Sequence, residues 1–385
     1  MKRFISVFLL SFVAVTGLAR FGGASPAMAE PLITIPNGGS VGGYSGGITL
    51  GYEFSLSEHY LVNRIGFVDD GQDGLFESHQ VGLWDASGTL VSSVIVPGGA
   101  AATLDGFTRW VDVETMLLGP GTYTAGAHFP TGSSGGGDLP QSNAGATTAQ
   151  GVTLLNAKAA GSPGFQRPTN NSASFPGIFG PNLDGGTVST LPATALVNVT
   201  SAGAASGYSG GITRGWELHL DHAQVLVDLG FFDFGQDGLV EEHMVGLWDS
   251  MGNLVTSVTI GAGTSSVLDG FFRYEAIAPI LLSAGDYTLG AHYQTGSAAG
   301  GDEAGVNNDH TFASGVTYLG SRTAGSPGFQ EPTNGSGFAN GIFGPNARFA
   351  DTAAALTSVA EPGSIGLLGL ALAGLGLAGL RRKTA

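Results

Sequence analysis

The sequence predicts an all-β protein built from two tandem antiparallel β-sandwich domains of jelly-roll type. Three observations predict it. The stretch GFVDDGQDGLFESHQVGLWDASGTLV at 66–91 returns at 230–255 as GFFDFGQDGLVEEHMVGLWDSMGNLV, and internal repetition of this kind marks a duplicated unit. The apolar residues alternate with a period of two rather than 3.6, as a half-buried strand requires. The composition, with 66 Gly, 42% hydrophobic and only 11% charged residues, is too apolar for a disordered chain and too rich in Gly for a mainly helical one.

The first segment, 1–29, reads as a signal helix. Lys2 and Arg3 precede an apolar run over 4–18, and Ala27 and Ala29 supply the small residues of a cleavage box. Such a leader implies passage through the Sec translocon, removal by signal peptidase after Ala29, and an exported chain.

The body follows. Gly43-Tyr44-Ser45-Gly46-Gly47-Ile48-Thr49 recurs 164 residues later at 207–213, and the same offset holds at 177–182 against 341–346. No insertion or deletion is needed between those ends, and roughly half the aligned positions are identical. The expected domains are therefore 30–183 and 196–350, with 184–195 as a linker rich in Gly, Thr and Pro. Within each copy, Tyr52, Phe54 and Leu56 share one strand face. Val81 and Leu83 share another, with Gly82 and Trp84 opposite. Thr122 to Phe129 and 151–155 continue the alternation, giving about eight short strands per copy joined by Gly turns.

No cysteine is present, so disulfides, thiolate metal sites and thiol catalysis are excluded. Of 14 basic residues, six lie near the ends, which leaves 8 basic against 30 acidic residues, or −22, for 30–363. A body so acidic is repelled by nucleic acid, which is excluded as a partner.

The last segment, 351–385, carries Val359-Ala360-Glu361-Pro362, then an uncharged run over 364–380, then Arg381, Arg382 and Lys383. Seventeen apolar residues reach the lower limit for a membrane-spanning helix, and the basic end would stay cytoplasmic. This order resembles the PEP-CTERM sorting signal of Gram-negative bacteria, with Ala360 where that family usually has Pro. The resemblance implies recognition near Glu361-Pro362 by an exosortase, a membrane transpeptidase-like enzyme. The chain would be anchored transiently in the inner membrane and then passed to the cell surface or extracellular matrix. The body, through Gly-Leu-Trp-Asp-x-x-Gly-x-Leu at 82–90 and 246–254, is similar to a domain of unknown function in secreted bacterial proteins.

Candidate sites are few. Asp69 and Asp73, with Asp233 and Asp237 in the second copy, stand at calcium-loop positions 1 and 5, with Glu77 as a further oxygen donor. Position 3 is Gly in both, which excludes an EF-hand. The competing reading is a turn whose Asp side chains bond backbone N–H groups. His79 lies near Glu77 and Asp85 but lacks a zinc spacing, so a strand histidine bonded to a carboxylate is expected. Gly43 to Gly47 matches the G-x-S-x-G elbow, with Asp105 and His128 following in hydrolase order. The elbow needs a strand before Ser45 and a helix after it, and neither is expected here. Glu53, Asp105 and Asp138 are the glycosidase-type acids. Tyr44 and Tyr208, each flanked by Gly, are the aromatics most suited to a sugar ring.

The function expected from the residues and the resemblance is non-catalytic: a surface or matrix structural or interaction protein without a required cofactor. Alternatives are a tandem carbohydrate-binding module for exopolysaccharide and a secreted hydrolase.

Overall fold

The computed structural model describes residues 30–350 except 37–43, 133–134, 136, 139–144, 173–176, 178–179, 202–203, 207–209, 297–298, 303, 307–308 and 337–343. The leader, the C-terminal sorting segment and Tyr208 lie outside the described residues. The described residues are strand, turn or loop with short 3-10 turns such as Val188–Thr190.

Eight principal strands form the first half: β1 (Ile48–Leu56), β2 (Tyr60–Val68), β3 (His79–Asp85), β4 (Leu90–Val96), β5 (Thr108–Leu118), β6 (Gly121–Phe129), β7 (Val152–Ala159) and β8 (Pro181–Thr187). Their counterparts are β9 (Ile212–Leu220), β10 (Gln224–Phe232), β11 (His243–Asp249), β12 (Leu254–Ile260), β13 (Phe272–Leu282), β14 (Gly285–Tyr293), β15 (Val316–Thr323) and β16 (Pro345–Ala350). All but the last pair correspond at both ends with an offset of 164.

In each half the principal strands make two antiparallel sheets, beside small two-stranded ladders. The first half has a six-stranded sheet ordered 170–171, β7, β1, β6, β3, β4, and a five-stranded sheet ordered Glu30–Pro31, β8, β2, β5, Thr103–Asp105. The second half repeats both orders. Alternation decides what lies between the sheets. Leu50, Tyr52, Phe54 and Leu56 of β1 meet Val62, Ile65 and Phe67 of β2 in one buried cluster with Val81, Leu83, Ala125, Ala127 and Phe129. Trp216, Leu218, Leu229, Phe231, Val245, Leu247 and Tyr293 do the same in the second half. An all-β, two-sheet architecture compatible with a β-sandwich is thus present twice.

The outer face of the six-stranded sheet is not left bare. Gly82 and Gly126 are cross-strand neighbours there, and a Cβ on Gly82 would stand 2.6 Å from the Phe165 ring. The Gly-Ser-Pro-Gly-Phe-Gln segment, 161–166, lies across this flat strip: Phe165 sits 5.3 Å from Trp84 and Thr49 bonds both Gly164 O and Gln166 N. Trp84 therefore points away from the core yet is buried. The second copy does the same with Phe329, Trp248, Thr213, Gly328 and Gln330.

The stretch 184–195, expected as a linker, is structured. Its glycines serve strand pairing: Gly185 sits beside a bulge where a Cβ would collide with Leu61 O. β8 runs on to Thr187, and Ala193–Ala195 already pairs with β16. Between them Val188 and Leu191 join Leu61, Val225 and Ala350 in a third buried cluster. Glycine content alone does not distinguish a spacer from a tight strand crossing.

One contact appears in opposite polarity in the two copies. Arg64 on β2 pairs with the fully buried Asp184 on β8, with Nε to Oδ2 at 2.6 Å. At the matching positions Asp228 pairs with Arg348 at 3.0 Å. Asp105 and Asp269 flank the respective arginines at 3.4 and 3.2 Å. A single loss from a buried pair strands the other charge and costs about 3 kcal/mol or more. Arg64→Ala should therefore lower stability by about that amount, and the exchange Arg64→Asp with Asp184→Arg should recover most of it. Urea unfolding of the single and double variants tests this, and a double variant no better than Arg64→Ala would refute it.

Candidate functional site

The turn joining β2 to β3 is fixed by a buried ion pair. Asp69, 2% exposed, accepts from Arg109 Nε at 2.6 Å and from Gly74 N at 3.0 Å. Arg109 also donates to Ala102 O at 3.0 Å. Gln72 closes the turn with a left-handed φ of 56° and its side-chain amide donates to Gly106 O at 2.8 Å. The second copy matches: Arg273 Nε to Asp233 at 2.7 Å, Gly238 N to Asp233 at 3.0 Å, and Gln236 at φ 56°. The carboxylate oxygen nominated for calcium thus faces a guanidinium, while Asp73 is exposed. Among the described residues no group of three or more His, Asp or Glu is placed to hold a metal ion. The turn reading, with Asp bonding a backbone N–H, describes what is seen.

His79 forms the second constellation. β3 turns it into the core, where it is fully buried and stacks on Phe67 with ring centres 3.7 Å apart and planes within 2°. Nδ1 faces His128 O and Nε2 faces Asp138 Oδ2, both at 2.9 Å. Phe76 N and Glu77 N donate to the two oxygens of Asp138 at 3.0 and 3.2 Å. Burial pushes the Asp138 carboxyl up, but the bonds from His79 and these amides outweigh it, and it is held below the usual carboxylate range. Glu77 in turn accepts from Thr131 N at 2.8 Å and Thr131 Oγ1 at 2.6 Å. His243, Asp302, Glu241 and Thr295 repeat the arrangement over Phe231, and Asp302 is likewise held low against its burial. These contacts tie the loop after β6 onto the turn before β3. Both histidine nitrogens are engaged and the ring is enclosed, which makes this a clamp.

Tyr44 belongs to the same clamp. Its hydroxyl donates to Thr131 O at 2.9 Å and Asp138 O at 2.6 Å, and its ring meets Phe129 edge-on at 5.0 Å. Burial first, then Glu77 and Asp138, push the phenol well up. The ring is half-buried against protein instead of presented as a sugar platform; Gly46, where a Cβ would stand 2.4 Å from Gly132 N, lets the loop come close.

The remaining nominated groups are kept apart. The acids of the glycosidase-type set have separate partners: Glu53 pairs with Lys158 at 3.2 Å, Asp105 with the Arg64 that also holds Asp184, and Asp138 is bonded to His79 at 2.9 Å. Asp85 bonds Ser87 and Thr89 in its hairpin turn. His128 lies on the outer face of β6 with its Nε2 buried and without a partner among the described residues, as does His292. Asp105, the acid of the hydrolase-order set, is on the other sheet. β1 follows Ser45, so the helix that an elbow requires is replaced by a strand.

Open grooves among the described residues include two of note. One, about 470 Å³, runs between the halves beside Glu58, His59, Val227 and Pro279. The other, about 460 Å³, lies on the five-stranded sheet of the first half and is lined by Asn63, Arg64, Thr103, Trp110, Asp112 and Thr115. Arg64 lies over the Trp110 ring at 5.3 Å. Asn63 Oδ1 and Trp110 Nε1 in this lining are buried without partners among the described residues.

Sequence reasoning passed over the basic residues. Among the described residues at least six of the eight in the body hold internal ion pairs: Arg64, Arg109, Lys158, Arg273, Arg322 and Arg348. The signal was available, since Arg109 and Lys158 recur as Arg273 and Arg322 at the 164 offset. Comparison with protein-family models, with curated proteins and with solved structures finds no match.

Two outcomes follow. Arg109→Ala, which strands buried Asp69, should cost about 3–5 kcal/mol, whereas millimolar calcium should leave the melting temperature of the unaltered chain in place; a calcium-dependent rise would overturn the turn reading. Asp138 and Asp302 have native pKa values below their unfolded ones, so their contribution is complete above the ordinary carboxylate value of about 3.9 and disappears as pH falls through the native value. Denaturant midpoints should therefore fall on acidification below about pH 4, and less steeply in the Asp138→Asn, Asp302→Asn double variant.

Proposed function

We propose that the chain is an exported structural or interaction protein of the cell surface or extracellular matrix, made of two jelly-roll-like sandwich modules and delivered by a PEP-CTERM-type signal. The observation that carries this reading is the joint presence of the leader ending at Ala29 and the ordered Glu361-Pro362, apolar run and Arg381-Arg382 cluster. An acidic, cysteine-free body suits that destination, because solubility and folding then need no oxidant. The internal use of its polar groups supports a scaffold: the most distinctive side chains of both copies hold loops to sheets. On this reading the partners are the Sec machinery, signal peptidase and an exosortase.

Exopolysaccharide binding is the second reading, and the groove beside Asn63 favours it over the loop tyrosines. Its lining joins Arg64, Asp112, Thr103 and Thr115 to the Trp110 ring, the mix of donors, acceptors and aromatic surface that suits a sugar. Asn63 and Asp112 become Val227 and Ala276 in the second copy, so this site would exist once per chain.

Mass mapping of the mature termini in the native host tests the first reading: it expects an N-terminus at Glu30 and loss of 364–380. A mature chain that keeps the apolar run would refute the sorting step. A glycan array screened with the full chain tests the second, which expects binding that Asn63→Ala with Asp112→Ala abolishes and Tyr44→Phe leaves intact.

A further inference from the structure

Sheet edges in this protein are treated unequally. In the first half, three of the four edges end in strands of two or three residues: Glu30–Pro31, Thr103–Asp105 and Asn170–Asn171. The fourth is β4, seven residues long, and in the second half it is β12, also seven. Natural sheets guard a long edge with Lys, Pro, inward charges or a covering segment, because its free N–H and C=O groups are a template for another strand. LVSSVIV and LVTSVTI contain no charge, Pro or Gly. A register shift against the neighbouring strand marks the start of each, at Val91 and Val255, and leaves 92–96 and 256–260 as regular ladder. β4 pairs only with β3, and β12 only with β11, and among the described residues no further hydrogen bond reaches either strand. Ile95, outward-facing, is 63% exposed.

We propose that β4 and β12 are assembly edges, each adding to the same strand of a second copy by antiparallel pairing. Three features select a second copy. The regular segment is self-complementary: turned about Val94, it sets Ser93 against Ile95 and Ser92 against Val96, and turned about Val258 it sets Ser257 against Thr259 and Thr256 against Ile260. Each pairing keeps outward residues opposite outward ones and inward opposite inward, as an isologous contact requires. The body carries −22, so two copies repel almost everywhere; these uncharged strips let their backbones meet without opposing carboxylates. Finally, the edge occurs twice per chain. Two isologous contacts on one bivalent chain generate an open linear array, in which weak pairings reinforce one another. This deepens the matrix reading of the chain but stands on the edges alone, since association is measured without export or sorting.

The absence of native cysteine gives a clean test. In the full chain held in mild detergent, Ser93→Cys and Ser257→Cys should each give covalent dimers with a short bismaleimide, and the double variant a ladder. Ser87→Cys is the control: it lies in the hairpin turn before β4, beyond the end of the pairing, so two copies would sit roughly 30 Å apart and remain uncoupled. Ile95→Lys with Thr259→Lys places a charge on each exposed edge and should shift the sedimenting species to monomer, with an unchanged melting temperature showing that the fold persists. Equal coupling at positions 87 and 93, coupling of position 93 only to other proteins, or a wild-type chain that is monomeric in the same detergent would each overturn the proposal. Failure of the sorting reading would leave all of these results unmoved.

Discussion

Burying an acid beside a guanidinium is the constraint on which the rest of the structure rests. Without cysteine, and with so much glycine, the long turns between strands have neither a disulfide nor bulky side chains of their own to hold them. Asp69 with Arg109 does that work for the turn after β2, and Asp233 with Arg273 does it in the second half. The carboxylate accepts a backbone N–H as well as the guanidinium, so one buried contact orders both a loop and the strand beneath it. Such a pair gains little over apolar packing, but losing one partner is costly, which makes it a fixing device rather than a source of stability.

The duplication offers a comparison made within one chain. Where both copies need an interaction, chemistry is kept even when residue types change. Lys158 with Glu53 becomes Arg322 with Glu217, and Arg64 with Asp184 becomes Asp228 with Arg348. A reversed pair of charges preserves attraction and burial while both side chains change. The copies diverge where their surroundings differ: Asn63 lines an open groove, whereas Val227 lies at the meeting of the two halves.

The polar groups singled out in the sequence are used mainly inside each half. His79, Asp138, Glu77 and Tyr44 combine into a clamp that closes on itself, and His243, Asp302 and Glu241 repeat it, so these residues hold loops. Open features among the described residues include the backbone of two sheet edges and the polar groove beside Asn63. The proposed role, acting through surfaces and repetition, fits that description, and the charge of the body would keep copies apart except where uncharged edges meet.

The sequence by itself determined the strand class, the 164-residue duplication and the core faces, because alternation and repetition are local and survive without knowledge of contacts. It also placed His79 beside a carboxylate, although Asp138 lies 59 residues away and could not be singled out. Tertiary structure alone decided that Asp69 faces Arg109, that Tyr44 is pinned, that 161–166 covers Trp84, and that glycines in 184–195 permit strand crossing instead of flexibility. Each of these depends on which segments the sheets bring within a few ångströms, and that distance is set by the packing of two layers, which no local pattern encodes.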